Sequence, residues 1–105
     1  MQAKKRLEEF RISKDLMDRL VKYCHENGKS VEDVLNEVMD GIVEGSGLGG
    51  DENGKGKVFV KDFVMKVAIP VGLDRKLVSI ADKWKMTKFR LVREELRRVL
   101  GMDKE

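Results

Sequence analysis

Residues 63–69 read Phe63-Val64-Met65-Lys66-Val67-Ala68-Ile69, and the odd-numbered residues of this stretch are all large and apolar. Because successive side chains of a β-strand point to opposite faces, these residues are predicted to face a core. Val64, Lys66 and Ala68 are then predicted to face away from it. Pro70 cannot donate a ladder hydrogen bond, so it is expected to mark the strand end or a helix start. Residues 57–61 are predicted to extend the same strand upstream.

The pattern around this strand occurs twice in the chain. Sliding residues 10–42 by 57 positions, without a gap, superposes the apolar positions and the helix-start residues of the two halves. The coinciding pairs include Phe10 with Val67, Ile12 with Ile69, Leu16 with Leu73, Leu20 with Leu77 and Ser30 with Thr87. We interpret this as an internal repeat in which each copy reads strand, helix, turn, helix.

The first copy carries clear signals for where its helices begin and end. After a short strand over residues 7–12, Ser13 is a typical N-cap for a helix over residues 14–27. Gly28 tolerates the left-handed conformation that ends such a helix. Ser30 is expected to begin the second helix, with Asp33 three residues later as a variant of the capping box.

Apolar side chains recur at helical spacing in all four predicted helices, and these stripes are predicted to form the core. Trp84 and the six methionines are included in that core, as are Val21 on the first helix and Val99 on the last. The single cysteine, Cys24, excludes an intrachain disulfide and is predicted to be a small buried residue.

A glycine-rich segment separates the two copies. Seven of the twelve residues 45–56 are Gly or Ser, which is typical of a flexible linker. The predicted organisation is therefore one unit over residues 1–44, a linker over residues 45–57 and a second unit over residues 58–105. Residues 1–45 carry 8 Lys and Arg against 10 Asp and Glu, whereas residues 58–105 carry 12 against 7. The second half is thus the better candidate for binding a polyanion.

Several function classes are disfavoured by the sequence. It has no run of 18 apolar residues and no apolar signal core, which favours a cytoplasmic protein without a membrane partner. No set of residues typical of catalysis occurs, so no enzyme activity or small-molecule substrate is expected. Residues 49–56 nearly match a phosphate-binding loop and residues 51–58 a calcium loop. The first lacks the Ser or Thr after its lysine and the second has Lys55 at a ligand position, so no cofactor or metal is expected.

The first copy contains the stretches Phe10-Arg11-Ile12-Ser13-Lys14-Asp15-Leu16 and Asn27-Gly28-Lys29-Ser30, and the second contains Val67-Ala68-Ile69-Pro70 and Met86-Thr87-Lys88-Phe89. These four stretches resemble the ribbon-helix-helix (Arc/MetJ-type) transcriptional regulators. The resemblance implies an α+β, mostly α, fold of two tandem ribbon-helix-helix units. Their strands pair into an antiparallel ribbon over four helices. Pairing within one chain, as a pseudo-dimer, and pairing between chains, as a homodimer, are both allowed by the length of the linker.

The same resemblance implies a DNA-binding regulator, activator or repressor, whose ribbon enters the major groove of double-stranded DNA. The expected base contacts are Glu9, Arg11, Lys66 and Ala68. Phosphates are expected at the N-terminus of each second helix, at Lys29, Ser30, Thr87 and Lys88. Arg11 suits a bidentate contact with guanine, whereas Glu9 departs from a groove-binding pattern unless it accepts a hydrogen bond from cytosine.

Two alternatives remain open from the sequence. A ribbon-helix-helix fold also serves as a protein-interaction module, as in an antitoxin-like protein or a viral or plasmid accessory factor. The basic cluster on the last helix is either a solvated face paired with Glu94 and Glu95 or a second binding surface. Its members are Lys88, Arg90, Arg93, Arg97 and Arg98.

Overall fold

The computed structural model describes residues 6–47, 55–61 and 64–102, and nothing is described of the Arg6 side chain. The elements are β1 (Arg6–Arg11), α1 (Lys14–Asn27), α2 (Val31–Gly45), β2 (Lys57–Lys61), β3 (Val64–Ile69), α3 (Val71–Lys83) and α4 (Lys88–Val99). The protein is therefore α+β and mostly helical. The predicted order of two tandem strand-helix-helix units is not confirmed, because the second half contributes two strands before its helices.

The sequence correctly predicts the N-caps of α1, α2 and α4 and the glycine that ends α1. Ser13 Oγ accepts a hydrogen bond from the backbone N–H of Leu16 at 3.1 Å, and Gly28 follows α1 with a φ of 63°. At the start of α2, Ser30 and Asp33 form the predicted reciprocal capping box. Thr87 Oγ1 accepts from the N–H of Arg90 at the start of α4. These bonds occupy backbone groups that have no partner within the helix.

The three strands form one antiparallel sheet in the order β1-β3-β2. The prediction that residues 57–61 extend the strand of residues 63–69 is wrong, because residues 57–61 form the separate strand β2. β2 then pairs antiparallel along one edge of β3, while β1 pairs along the other edge. This pairing gives the backbone of β3 hydrogen-bonding partners on both sides, and an unpaired strand edge is a common liability in small proteins.

The four helices pack against one face of the sheet, which we call the inner face. Phe10 and Met65, directly opposite each other on β1 and β3, are both buried on this face. The Phe10 ring stacks on that of Phe89 from α4, with the ring centroids 5.2 Å apart. Cys24 is buried in the same core, as predicted, and burial together with the charge of Asp33 raises the pKa of its thiol.

Three predicted core residues lie at the surface instead: Val21, Val99 and, most clearly, Trp84, which is 68% exposed. α3 ends at Lys83, so Trp84 occupies the C-cap position, and Lys85 follows with a φ of 58°. The helical period that places Leu73, Leu77 and Ile80 in the core therefore no longer applies at Trp84. The apolar residues at helical spacing thus continue in the sequence to Trp84, although α3 itself ends at Lys83.

A buried amide attaches β2 to the rest of the fold. Asn36 on α2 donates from Nδ2 to the carbonyl oxygen of Gly56 and accepts at Oδ1 from the N–H of Gly56, at 3.1 and 2.8 Å. Gly56 has no room for a side chain, since a Cβ there would lie 2.8 Å from the carbonyl oxygen of Ala68. Gly56, predicted to belong to the linker, is thus a buried and specifically bonded part of the fold.

Candidate nucleic-acid interface

The face of the sheet opposite the helices, which we call the outer face, is built from three rows of directly opposed residues. The strand register defines the rows from one end of the sheet to the other. They are Leu7-Ala68-Lys57, Glu9-Lys66-Phe59 and Arg11-Val64-Lys61. In each row the middle residue belongs to β3. Because opposed residues of antiparallel strands point to the same side, the three rows form one surface.

Two of the predicted base contacts, Arg11 and Glu9, lie on β1 two residues apart and share this outer face. Arg11 Nε lies 3.3 Å from Glu9 Oε1, and the two side chains are 74% and 51% exposed. An ion pair so exposed contributes only about 0–1 kcal/mol, so a stronger acceptor can displace the carboxylate from the guanidinium. Pairing with Arg11 also gives Glu9 a role other than contact with cytosine.

Lys66 lies at the centre of the outer face, between Glu9 and Phe59 in its row. Its side chain is exposed, as predicted. Among the hydrogen bonds and ion pairs within the described part of the chain, none involves its ammonium group. Lys66 therefore offers an accessible cation in the middle of the sheet.

Ala68, the fourth predicted base contact, differs from the expectation because only 7% of it is exposed. It stands on the central strand with Leu7 opposite on β1 and Lys57 opposite on β2, both of them larger. A two-stranded ribbon would leave one side of this alanine open. The third strand removes that opening, and the sequence did not predict the third strand.

The side chains of the predicted phosphate-binding residues at the start of α2 already have partners within the protein. Lys29 Nζ lies 2.9 and 2.8 Å from the two carboxylate oxygens of Glu37, and this hydrogen bond raises the pKa of Lys29. The Ser30 hydroxyl accepts from the N–H of Asp33 at 3.0 Å. Glu32 accepts from the N–H of Val58 on β2 at 2.9 Å. Two acidic residues in the first turn make this helix end unfavourable for a phosphate.

The start of α4 has a different environment. Its first turn contains no acidic residue, and Thr87 provides its N-cap. Lys88, however, is only 13% exposed, with Nζ 2.6 Å from Asp74 Oδ1 and 2.8 Å from Glu8 Oε2. Burial lowers the pKa of Lys88, but the hydrogen bonds to Asp74 and Glu8 outweigh that effect, and the pKa is raised. Lys88 thus joins β1, α3 and α4, and a phosphate would have to compete with two carboxylates for it.

The other cations of α4 are largely engaged within the protein. Arg90 pairs with Glu94 and Arg98 with Glu95, as expected for a solvated face. Arg93 lies over the Phe10 ring, 5.6 Å from its centroid, and donates to the carbonyl oxygen of Arg11. Arg97 donates to the carbonyl oxygen of Met102. These contacts favour the solvated-face interpretation of the cluster.

Sequence reasoning missed three residues of the outer face, namely Lys57, Phe59 and Lys61. They were assigned to an upstream extension of β3, although the alternation of Lys57-Val58-Phe59-Val60-Lys61 is itself typical of a separate short strand. Phe59 is 58% exposed. It lines a shallow depression together with Lys61, Val64 and Lys66.

No group of three or more His, Cys, Asp or Glu residues within the described ranges is placed to hold a metal ion. No helix in that part of the chain is both long and apolar enough to cross a bilayer. Most of residues 49–56, which include the near-match to a phosphate-binding loop, lie outside the described residues, as does much of the calcium-loop near-match.

Comparisons with models of protein families, with curated proteins and with solved structures give no match to this chain. The class that the fold defines is a small α+β protein with a three-stranded antiparallel sheet, four helices on its inner face and a charged outer face. Any assignment beyond that class rests on the residues described above.

Proposed function

We propose that the chain is a transcriptional regulator that binds double-stranded DNA through the outer face of its sheet, and that it consists of two ribbon-helix-helix units on one polypeptide. The observation that carries the proposal is the register of β1 and β3. The 57-residue shift that relates the two halves maps Glu9 onto Lys66, and these two residues are directly opposed. In the pairs on either side, a residue that follows Glu9 on β1 by one or two positions opposes the residue that precedes Lys66 on β3 by the same number. Two copies of one unit would produce this relation around a local two-fold axis.

A local two-fold axis at the centre of a ribbon matches the symmetry of duplex DNA, and a β-ribbon fits the major groove. In the proposed complex Arg11 bonds O6 and N7 of a guanine, releasing Glu9, and Lys66 reaches acceptors on the groove floor. Ala68 contributes shape rather than a direct contact, since it is buried between Leu7 and Lys57. Arg11 and Lys66 occupy non-equivalent positions in their copies, which suits an asymmetric binding site.

Phosphate binding is proposed at the start of α4 more than at the start of α2. The backbone N–H groups of a helix N-terminus favour an anion, and the first turn of α4 adds no carboxylate. The first turn of α2 contains Glu32 and Asp33. Thr87 is therefore the preferred contact among the four predicted phosphate-binding residues, which also include Lys29, Ser30 and Lys88.

The test is selection of bound sequences from random duplex DNA, followed by titration of the selected site by fluorescence anisotropy at several salt concentrations. An R11A/K66A double variant is expected to lose at least about 30-fold in affinity for the selected site, since each base contact contributes roughly 1–3 kcal/mol. Affinity for unrelated duplex should fall much less. A double variant that keeps its preference for the selected site would reject these two residues as the base contacts.

A second candidate function is the protein-interaction module, and the exposed Trp84 favours it. Trp84 lies beside Met86 and Leu91 at a depression between α3 and α4, away from the sheet. Tryptophan is enriched among the residues that contribute most to protein interfaces. Copurification of a stoichiometric protein partner, with no retardation of duplex DNA by the free chain, would favour this function over DNA binding.

A further inference from the structure

We infer that β2 is a third DNA-contacting strand, in which Lys57 and Lys61 bind phosphates along one wall of the major groove and Phe59 contacts the nucleotides between them. This inference rests on the proposed function and extends it to a strand that the ribbon-helix-helix resemblance does not include. It assigns to double-stranded DNA three residues that would otherwise belong to an exposed sheet edge.

The positions of these three residues follow from the register of β2. Lys57, Phe59 and Lys61 oppose Ala68, Lys66 and Val64 on β3, so they extend the outer face sideways in all three rows. Val58, between them, is half-buried and packs against the core from the inner face. The alternation of β2 therefore directs its two lysines and its phenylalanine to the side on which Arg11 and Lys66 lie.

The charge of the outer face is concentrated on and beside β2. The face has four cationic side chains, Arg11, Lys57, Lys61 and Lys66, against one carboxylate, Glu9, which is paired with Arg11. No hydrogen bond or ion pair within the described ranges involves the ammonium groups of Lys57 and Lys61. Lys29 and Lys88, by contrast, are paired with carboxylates. The lysines of β2 thus provide accessible charge that attracts a polyanion.

The width of the sheet decides which strand meets which part of the DNA. Neighbouring strands lie about 4.8 Å apart, and a major groove about 12 Å wide admits a two-stranded ribbon, so a third strand lies at the side of the groove. In the proposed fit β1 and β3 face the groove floor and β2 lies beside one phosphate wall. Lys66 on β3 is then suited to base edges and Lys57 and Lys61 on β2 to phosphates.

β2 is held in place before any ligand binds. Glu32 accepts a hydrogen bond from the N–H of Val58, and Asn36 makes two hydrogen bonds to Gly56 at the start of the strand. Both anchoring residues belong to α2, the helix whose N-terminus is unfavourable for phosphate. A preformed strand loses less conformational entropy on binding than a mobile one. The exposed ring of Phe59 then presents apolar surface for sugar or thymine methyl contacts without reordering.

The experiment compares two double variants that each remove two positive charges. K57Q/K61Q changes β2, whereas K22Q/K83Q changes exposed lysines on α1 and α3, away from the outer face. For K57Q/K61Q we expect the slope of log K against log salt to become shallower by about 1.8, since each neutralised phosphate contributes about 0.9. The ratio of selected to unrelated duplex affinity should stay the same, because phosphate contacts carry little sequence information.

A third variant, F59A, separates the ring from the charges. It is expected to weaken binding of the selected duplex several-fold with an unchanged salt slope, and far-ultraviolet circular dichroism of all variants checks that the fold is retained. If K57Q/K61Q has the same slope as K22Q/K83Q, β2 does not contact phosphates and the inference is overturned, while an effect of R11A/K66A would leave the proposed function standing. If the unsubstituted chain shows no salt-dependent duplex binding, both are overturned.

Discussion

The 57-residue shift superposes the N-termini of α2 and α4, but the surroundings of these two helix ends differ. At α2, Ser30 and Asp33 form a capping box and Glu32 accepts a hydrogen bond from β2. At α4, the first turn has no acidic residue, and Lys88 pairs with Glu8 on β1 and Asp74 on α3. One helix end thus helps to hold the added strand, whereas the first turn of the other contains no carboxylate of its own. Two helix ends that the 57-residue shift superposes therefore differ in their contacts, because only one of them lies beside the third strand.

The largest effect is expected from removing the amide that attaches β2 to α2. Asn36→Ala leaves the buried N–H and carbonyl groups of Gly56 without their partners, and each such group costs about 1–3 kcal/mol. We expect the free energy of unfolding to fall by about 2–4 kcal/mol, measured by urea denaturation. Asn27→Ala is the matched control, since the Asn27 amide also donates to a backbone carbonyl but is exposed. Equal losses in the two variants would show that β2 is not held in this way.

The two lysines predicted to contact phosphate give the next comparison. Lys88→Ala should lower the free energy of unfolding by about 2–3 kcal/mol, because Glu8 and Asp74 both lose a charged hydrogen-bond partner. Lys29→Ala, which breaks an exposed pair with Glu37, should cost no more than about 1 kcal/mol. Thermal and urea denaturation of the two variants measure the difference. A smaller loss for Lys88→Ala than for Lys29→Ala would contradict the role of Lys88 as an internal link.

The contribution of Lys88 also has a predictable pH dependence. Its pKa in the folded chain is raised above the ordinary value of 10.5. Stabilisation by a group with a raised folded pKa is fully present below the unfolded pKa and is lost as pH rises through the folded one. The difference in stability between the unsubstituted chain and Lys88→Ala should therefore be constant from neutral pH to about pH 10 and shrink above it. A difference that vanishes already at pH 8 would be inconsistent with this assignment.

Small and equal effects on stability are expected at the two helix caps, which should differ only in their effect on DNA binding. Ser30→Ala and Thr87→Ala should each lower the free energy of unfolding by about 1 kcal/mol, since each removes one cap hydrogen bond. Only Thr87→Ala should weaken duplex binding, by about tenfold if a hydrogen bond to a charged phosphate is lost. Anisotropy titration measures both variants. Equal losses of affinity would mean that both helix ends bind phosphate and that the proposed asymmetry is wrong.

Much of the secondary structure was predictable because it depends on neighbours in the sequence. The predicted helix over residues 14–27 agrees with α1, Lys14–Asn27, and the caps at Ser13, Ser30 and Thr87 are confirmed. Alternation correctly assigned Met65 and Val67 to the buried face of β3. A helix cap involves residues only a few positions apart, and the alternation of a strand can be read from consecutive residues. Local sequence is therefore sufficient to predict these features.

The candidate site was less predictable, because the contacts of its side chains come from distant parts of the chain. Arg11 and Lys66 were expected on an exposed face and are exposed there. The partners of Lys88 lie 80 and 14 positions away, and the cover over Ala68 comes in part from a strand expected to continue β3. A short stretch of sequence does not show which edges of a strand will be paired in the folded chain.

From the amino-acid sequence alone it was predictable that the fold is α+β and mostly helical, where α1, α2 and α4 begin and that Met65 and Val67 face the core, since periodicity and capping act over short distances. The packed structure was needed to show that β2 pairs antiparallel with β3, that Trp84 lies outside the core and that Lys88 pairs with two carboxylates. These outcomes depend on residues far apart in the sequence, which compete for the edge of β3, for places in the core and for the ammonium group of Lys88. That competition is resolved only when all elements are packed together.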